Sequence, residues 1–374
     1  MTVHTDVPGS STTTAATTTT TATSPPMTAP PRKPKLGPWV IAFVLLAIAI
    51  GLGVLWWLGA LRSRPHVALV TSGEGPYWDL VIAGANEAAR QYDVELTVVR
   101  SKSDSVAQTQ VIRDLLPQKF DGIAISPIEP QTESTMLAEV AANTTLVTVD
   151  SDSPVARRIC FVGTDNYTAG RTLGERVKSI MPEGGDVVIC VGRAEKKNTQ
   201  QRRQGVIDEL LERPFDPDHL IDPLEAPLKG PHYNIVATLA DNADRDAAVQ
   251  LATEALSKYP NVKCFIGTLS YSAPMVLKAL DGAGKSGKVN VIGFDLDEKT
   301  VDGLGTGTVA GTIMQDQFGM GFHTIRILAD EARGNHGGLP MFQAYLLPSQ
   351  LVTKDNLDQV KAQLMRTTVT TQRS

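Results

Sequence analysis

The chain has 374 residues, enough for two or three domains and too many for one small one. Hydrophobic residues make up 42% of it and charged residues 20%, which excludes a wholly disordered protein. Three cysteines exclude a disulfide-stapled scaffold and a four-thiolate zinc site, and a formal net charge of −5 argues against a surface built to wrap nucleic acid.

Twelve of residues 1–35 are Thr, and Pro25, Pro26, Pro30, Pro31 and Pro34 close the stretch. Such a segment has too little apolar surface to offset the entropy of ordering its backbone. It reads as a disordered, solvated spacer, with O-glycosylation as the alternative. Residues 36–61 run LGPWVIAFVLLAIAIGLGVLWWLGAL without a charged side chain. Trp39 to Trp57 is nineteen residues, about 28 Å as helix against a hydrocarbon core of about 30 Å. Indoles at both edges suit the headgroup region, and Arg32, Lys33 and Lys35 before the run against Arg62 and Arg64 after it favour an inside amino terminus. A signal peptide has a shorter apolar core ending in small residues, which Leu58-Gly59-Ala60 matches poorly. The expectation is an uncleaved transmembrane anchor with the rest of the chain outside the cytoplasm; a cleaved signal is the alternative.

From residue 65 onward short β-branched runs alternate with amphipathic stretches. Strands are predicted over 66–72, 94–101, 121–128, 145–152 and 159–166, with helices over 77–92, 110–116 and 132–143 between them. The pattern restarts with a helix over 169–180, then strands over 186–193, 233–240, 262–269 and 289–296, and helices over 202–211, 245–258 and 274–283. Runs apolar on both parities are strands buried on both faces, and their alternation with helices implies parallel sheets with right-handed crossovers. Two such series predict two doubly wound lobes. The three cysteines fall in these buried runs and read as free thiols.

In open parallel sheets ligands bind beyond the carboxyl ends of the strands, so the residues there carry the functional reading. Gly73-Glu-Gly-Pro-Tyr-Trp78 is not a dinucleotide fingerprint, because Trp78 stands where close helix–strand packing needs Gly or Ala. Gly284-Lys-Ser286 is not a phosphate loop, because the required glycine five residues earlier is Ala279. What remains is Tyr77 and Trp78 after the first strand, Ser126 after the third, Asp150 after the fourth, Thr164 after the fifth, Asp295 ending VIGFD and Gln315 ending GTIMQ. Carboxylates, an amide, hydroxyls and aromatic faces form a carbohydrate-type inventory. Ordinary packing is the alternative for Trp78, and a helix cap the alternative for Asp150 and Asp295. Lys196-Lys197 reads as a solvated face. There is no G-x-S-x-G elbow, no H-E-x-x-H, and no metal-ligand spacing among the six histidines, so neither an enzyme nor a metal or other cofactor is expected.

In order and spacing, VALVTSGEGPYW, FDGIAISPIEP, LVTVDSD, FVGTDNYTAGR, QRRQGVIDELL, VNVIGFD and VAGTIMQD resemble the type I periplasmic binding proteins, in the ribose- and galactose-binding branch shared with lactose-repressor-like sensor domains. The resemblance covers residues 65–350. It implies an α/β fold of two doubly wound parallel-sheet lobes joined by a three-crossing hinge, here preceded by the transmembrane helix. The first lobe would hold 65–164 plus 316–344, the second 165–315 plus 345–366, with 367–374 a tail. It implies ligand contacts from Tyr77, Trp78, Ser126, Asp150, Thr164, Arg202 (three residues before Gly205), Asp295 and Gln315, and more loosely from Ser272. Ser126 stands where relatives often carry Asn, and Ser151 where ribose binders carry Arg, which puts ribose itself in doubt. The implied role is a monomeric extracytoplasmic protein that closes on a sugar and delivers it to an ABC permease and its ATPase. The alternative is a sugar sensor for a histidine kinase or chemoreceptor. A transcription regulator would need a DNA-binding domain where the Thr-rich tail and apolar run stand.

Overall fold

The computed structural model describes residues 37–57, 64–102, 104–218, 220–225, 227–362 and 364. The chain forms two compact units, Met1–Arg62 and Ser63–Ser374. The tails expected at 1–35 and 367–374 lie outside the described residues. In the first unit a helix, α1, runs over Pro38–Trp57, with large apolar side chains exposed from Trp39 to Val54. Among the described residues no helix is long and apolar enough to cross a membrane. The span expected over 36–61 is therefore not found there, and residues 36 and 58–61 of it are not described.

The second unit holds two sheets. In the first, β1 (His66–Val70), β2 (Glu95–Val99), β3 (Gly122–Ile125), β4 (Thr145–Val149), β5 (Cys160–Thr164) and β12 (Ala344–Leu347) lie in the order β12-β5-β4-β3-β1-β2, all parallel. In the second, β6 (Gly185–Val191), β7 (Leu228–Lys229), β8 (Tyr233–Ala240), β9 (Val262–Gly267), β10 (Asn290–Phe294), β11 (Gly311–Met314) and β13 (Gln350–Val352) lie in the order β13-β11-β10-β9-β6-β8-β7. Both edge strands of this sheet run antiparallel to their neighbours, which departs from the wholly parallel expectation. The even apolar runs have the cause inferred from them. Val67 and Leu69 enter one core and Ala68 and Val70 another, on opposite faces of the first sheet, and Val187, Ile189 and Val191 separate from Val188 and Cys190 in the same way. The three cysteines are buried and free.

The helices are α2 (Pro76–Gln91), α3 (Ser105–Leu115), α4 (Ser134–Asn143), α5 (Asn166–Ile180), α6 (Lys197–Leu210), α7 (Arg245–Lys258), α8 (Ser272–Gly282), α9 (Glu298–Thr306) and α10 (Gln317–Ala332). Asp104, Asp165, Asp244, Asp297 and Asp316 cap α3, α5, α7, α9 and α10 through side-chain bonds to backbone N–H groups. Helices α2, α4, α6 and α8 start without such a bond.

The chain leaves the first sheet after β5, returns after β11 through α10, and leaves again between Leu347 and Gln350. The expected boundary at 344/345 is corrected by β12: Tyr345 and Leu347 pair with Val162 and Thr164, so the chain stays in the first sheet until it has run the length of β5.

Helix α10 packs on α2 with almost no distance between backbones. A Cβ on Gly84 would fall 1.9 Å from the Phe318 carbonyl oxygen, and one on Gly321 would fall 1.8 Å from that of Val81. The α5–α6 pair repeats this: a Cβ on Gly170 would fall 2.1 Å from the Arg202 oxygen, and one on Gly205 2.2 Å from the Tyr167 oxygen. Rigid backbone cannot yield as a side-chain tip can, so Gly84→Ala is expected to destabilise by about 3 kcal/mol, the upper part of the usual overpacking range. Gly282→Ala, whose added methyl meets nothing within 4 Å, should be neutral or gain up to about 1 kcal/mol. Urea unfolding of the two variants checks the pair; equal midpoints would refute the close packing.

Candidate binding site

A cavity of about 270 Å³ lies where the carboxyl ends of both sheets meet. Six of the nine predicted residues line it: Tyr77, Trp78, Asp150, Arg202, Asp295 and Gln315. Asp150 follows β4 and Asp295 follows β10, and both sit in the left-handed region, at φ 63° and 62°. A non-glycine residue there costs about 1–2 kcal/mol and persists when its surroundings fix it. Here the next strand does so: Asp150 N donates to Val162 O at 3.0 Å, and Asp295 N to Ile313 O at 2.6 Å. Neither aspartate caps a helix; α9, the helix after Asp295, takes its cap from Asp297.

In the first lobe Tyr77 Oη donates to Asp150 Oδ1 at 2.7 Å, and Ser126 Oγ to Asp150 Oδ2 at 3.3 Å. Tyr77 meets Trp78 edge to face at 5.2 Å. Trp78 belongs to the first-lobe core as well as to the cavity wall and is 6% exposed. Burial, followed by the charges of Asp150 and Asp295, pushes the Tyr77 phenol well above its ordinary range, so it donates at any physiological pH.

In the second lobe Arg202 is buried at 2% exposure. Its Nε donates to Asn166 Oδ1 at 2.8 Å, Nη1 to Thr268 O at 3.0 Å and Nη2 to Gln315 Oε1 at 2.9 Å, and the guanidinium carbon lies 3.9 Å from the Phe294 ring centroid. Gln315 Oε1 also accepts from Thr164 Oγ1 at 2.8 Å, which ties the first two crossings together and leaves Gln315 Nε2 to donate to Asp295 Oδ1 at 2.9 Å. Gln317 Nε2 donates to the same oxygen at 2.9 Å, while Asp295 Oδ2 accepts nothing from the described residues. Burial pushes the Asp295 carboxyl up to about 6, against the opposing pull of Arg202.

Three predicted contacts are not on the wall. Ser126 and Thr164 stand behind it, holding Asp150 and Gln315. Ser272 is buried, with its Cβ against Gly267, and it is the preceding residue, Tyr271, that lines the cavity, its hydroxyl donating to Asp241 Oδ1 at 2.6 Å. The solvated-face reading of Lys196 is also corrected. Helix α6 begins at Lys197 rather than 202, which brings Lys196, Asn198 and Thr199 to the wall. Lys196 Nζ donates to Ser72 Oγ at 3.1 Å and Asn198 Nδ2 to Asp150 O at 3.5 Å, and Arg193 pairs with Glu129 at 3.5 Å. These contacts bridge the two lobes, so the cleft is closed. Sequence reasoning missed them because KKNTQQ lacks apolar periodicity and its N-cap position is held by Lys196, not by a capping residue.

The model of the periplasmic binding protein domain matches residues 67–336. The D-allose-binding periplasmic protein of Escherichia coli is 24% identical over 290 residues, covering 74% of this chain and 88% of that protein. The ribose import binding protein RbsB of the same organism is 23% identical over 261 residues, covering 69% and 82%. Among solved structures, an ABC-transporter solute-binding protein from Burkholderia graminis in complex with D-arabinose is similar at a TM-score of 0.70 and 27% identity, covering 78% of this chain and 96% of that one. GanP, a glucose-galactose binding protein from Geobacillus stearothermophilus, is similar at a TM-score of 0.71 and 26% identity, covering 79% and 99%. These relatives are substrate-binding proteins, not enzymes. With the family model matching residues 67–336, well over half of the sequence, the chain belongs to the periplasmic binding protein domain family.

Proposed function

We propose that the chain is an extracytoplasmic solute-binding protein that closes on a monosaccharide and presents it to an ABC importer. The observation that carries this is the cleft cavity of about 270 Å³ with two aspartates, an arginine, a glutamine and an aromatic pair on its wall. Asp295 Oδ2 is a vacant acceptor for a sugar hydroxyl, and Tyr77 and Trp78 offer apolar edge and face to a ring. Only the closed arrangement lets one ligand touch both lobes, so the ligand stabilises closure by its differential contacts. The sugars named for the relatives support the substrate class.

Membrane attachment is a further part of the proposal. Helix α1 carries no charged residue and is apolar on every described side, and a helix apolar all round is stable only when covered by protein or lipid. It would hold the binding unit close to an importer, as a monomer.

The test is a thermal-shift and calorimetric screen of the full chain in detergent against pentoses and hexoses. A saturable response to at least one sugar is expected, with stability raised by about 2.7 kcal/mol at a hundredfold excess over Kd. Silence across the panel would refute the carbohydrate reading.

A further inference from the structure

We infer that residues 193–198 form a latch that closes the cleft through protein groups alone, and that Glu129, outside the cavity wall, sets sugar affinity by holding it. This rests on the sugar-binding reading and names how that site is regulated. The segment runs from the end of β6 into the first turn of α6 and reaches three strand-end loops of the first lobe. Arg193 pairs with Glu129, past β3, at 3.5 Å. Lys196 Nζ donates to Ser72 Oγ, past β1, at 3.1 Å, and Asn198 Nδ2 to Asp150 O, past β4, at 3.5 Å.

The latch is held as one piece. Lys196 N donates to Arg193 O at 3.3 Å and Gln200 N to Lys196 O at 3.0 Å, which joins the turn to α6. Asn198 Oδ1 accepts from Thr199 N at 2.8 Å, so the helix itself aims Nδ2 at the first lobe. On that lobe Ser126 Oγ donates to Ser72 Oγ at 3.2 Å and fixes the socket. A hydroxyl oxygen has two lone pairs, enough to accept from Ser126 and Lys196 together. Burial lowers the Lys196 pKa against the pull of Asp150 and Glu133, but a neutral amine donates to Ser72 as an ammonium does, so the bond survives.

No contact of the latch includes a ligand atom, so each favours closure whichever sugar is present. When only the closed form binds, the apparent Kd is the intrinsic value divided by the closed fraction. A change in the latch therefore shifts every sugar by one factor, whereas a change in a wall residue shifts sugars unequally. Glu129 separates the two cases, because Arg193, Lys196 and Asn198 line the cavity and Glu129 does not. The Arg193 and Glu129 side chains are 24% and 28% exposed, so their pair shifts the closing equilibrium by up to about fivefold and is screened by salt.

The experiment places fluorophores on Val106→Cys and Asp246→Cys in the full chain in detergent. Both positions are exposed, each in the first turn of a helix that follows a strand into the cleft, and the three native cysteines are buried. Energy transfer reports the closed fraction without sugar, and calorimetry gives Kd for ribose, allose, arabinose and galactose. A closed population is expected before sugar is added, reduced about threefold by Glu129→Gln and about fivefold by Glu129→Arg. The Kd of every sugar that binds should rise by the same factor. Reversing the pair, Glu129→Arg with Arg193→Glu, should restore the closed fraction, and added salt should lower it in the parent more than in Glu129→Gln. A parent with no closed population, an unchanged closed fraction in Glu129→Arg, or a reversed pair no more closed than Glu129→Arg alone would overturn the latch. Should Glu129→Arg fail to fold, Glu129→Gln, which keeps the size and loses only the charge, decides. Silence toward every sugar, with the closed fraction still following Glu129, would refute the sugar-binding reading and leave the latch standing.

Discussion

Replacing Arg202 by methionine is expected to weaken sugar binding at least tenfold and to cost about 3–5 kcal/mol of stability, the usual penalty for breaking a buried charged network from one side. The two effects share a cause. The guanidinium is at 2% exposure and supplies donors to Asn166, Thr268 and Gln315. Methionine fills the volume and covers Phe294, but leaves three buried acceptors short of a donor. Gln315 would lose one of the two bonds its amide oxygen accepts, which weakens the hold on Nε2 where it donates to Asp295. Denaturant midpoints and calorimetry on the same preparations check this. An unchanged midpoint would show that the network does not bear on the fold, and unchanged affinity would remove Arg202 and its dependants from the site.

Asp295→Asn should move stability and affinity in opposite directions. Burial raises the carboxyl to about 6 in the folded chain against an ordinary 3.8. For an acid with a raised folded pKa, the fold holds the proton more tightly than the unfolded chain does. Stability from this group is thus greatest below pH 4, falls as pH rises from 4 to 6, and stays lower above 6. The asparagine variant escapes that loss, so without sugar it should melt higher at pH 7, by up to about 3 kcal/mol in stability, and equally with the parent below pH 4. Asparagine also tolerates the left-handed backbone at φ 62°. With sugar present that lead narrows by about 1.4 kcal/mol for each tenfold loss of affinity, because a charged acceptor is replaced by a neutral amide, and affinity should fall at least tenfold. Melting curves at pH 3.5 and 7, with and without sugar, separate these outcomes. A variant less stable than the parent at pH 7 would show that the carboxylate is well compensated by Arg202.

The strand ends were legible because a parallel strand buried on both faces leaves an unbroken apolar run that stops where polar residues meet the cleft. Asp150, Asp295 and Gln315 sit one residue past β4, β10 and β11, the place where only the end of such a run needs to be located. The amino-terminal turns were harder to read. Tyr271 was displaced by one position onto Ser272, because no cap residue marks where α8 begins. Lys196, Asn198 and Thr199 were lost for the same reason at α6. Helix α10 is not among the elements predicted from the sequence; it holds Gly319 and Gly321, and Gly321 is the gap through which α2 approaches. Strand β12 has only four residues, mostly half-exposed, and gains its identity from pairing with β5, far away in sequence.

The late return of the chain to its first sheet bears on how the protein is made. With β12 at Ala344–Leu347 and β13 at Gln350–Val352, neither sheet has all its strands until translation has passed most of the molecule. A ribosome would release both lobes unfinished, and their non-local pairing favours slow acquisition of the native state. Until residues 344–352 are made, each sheet lacks the strand that ends it on one side, so the last step of folding waits on the carboxyl-terminal part of the chain.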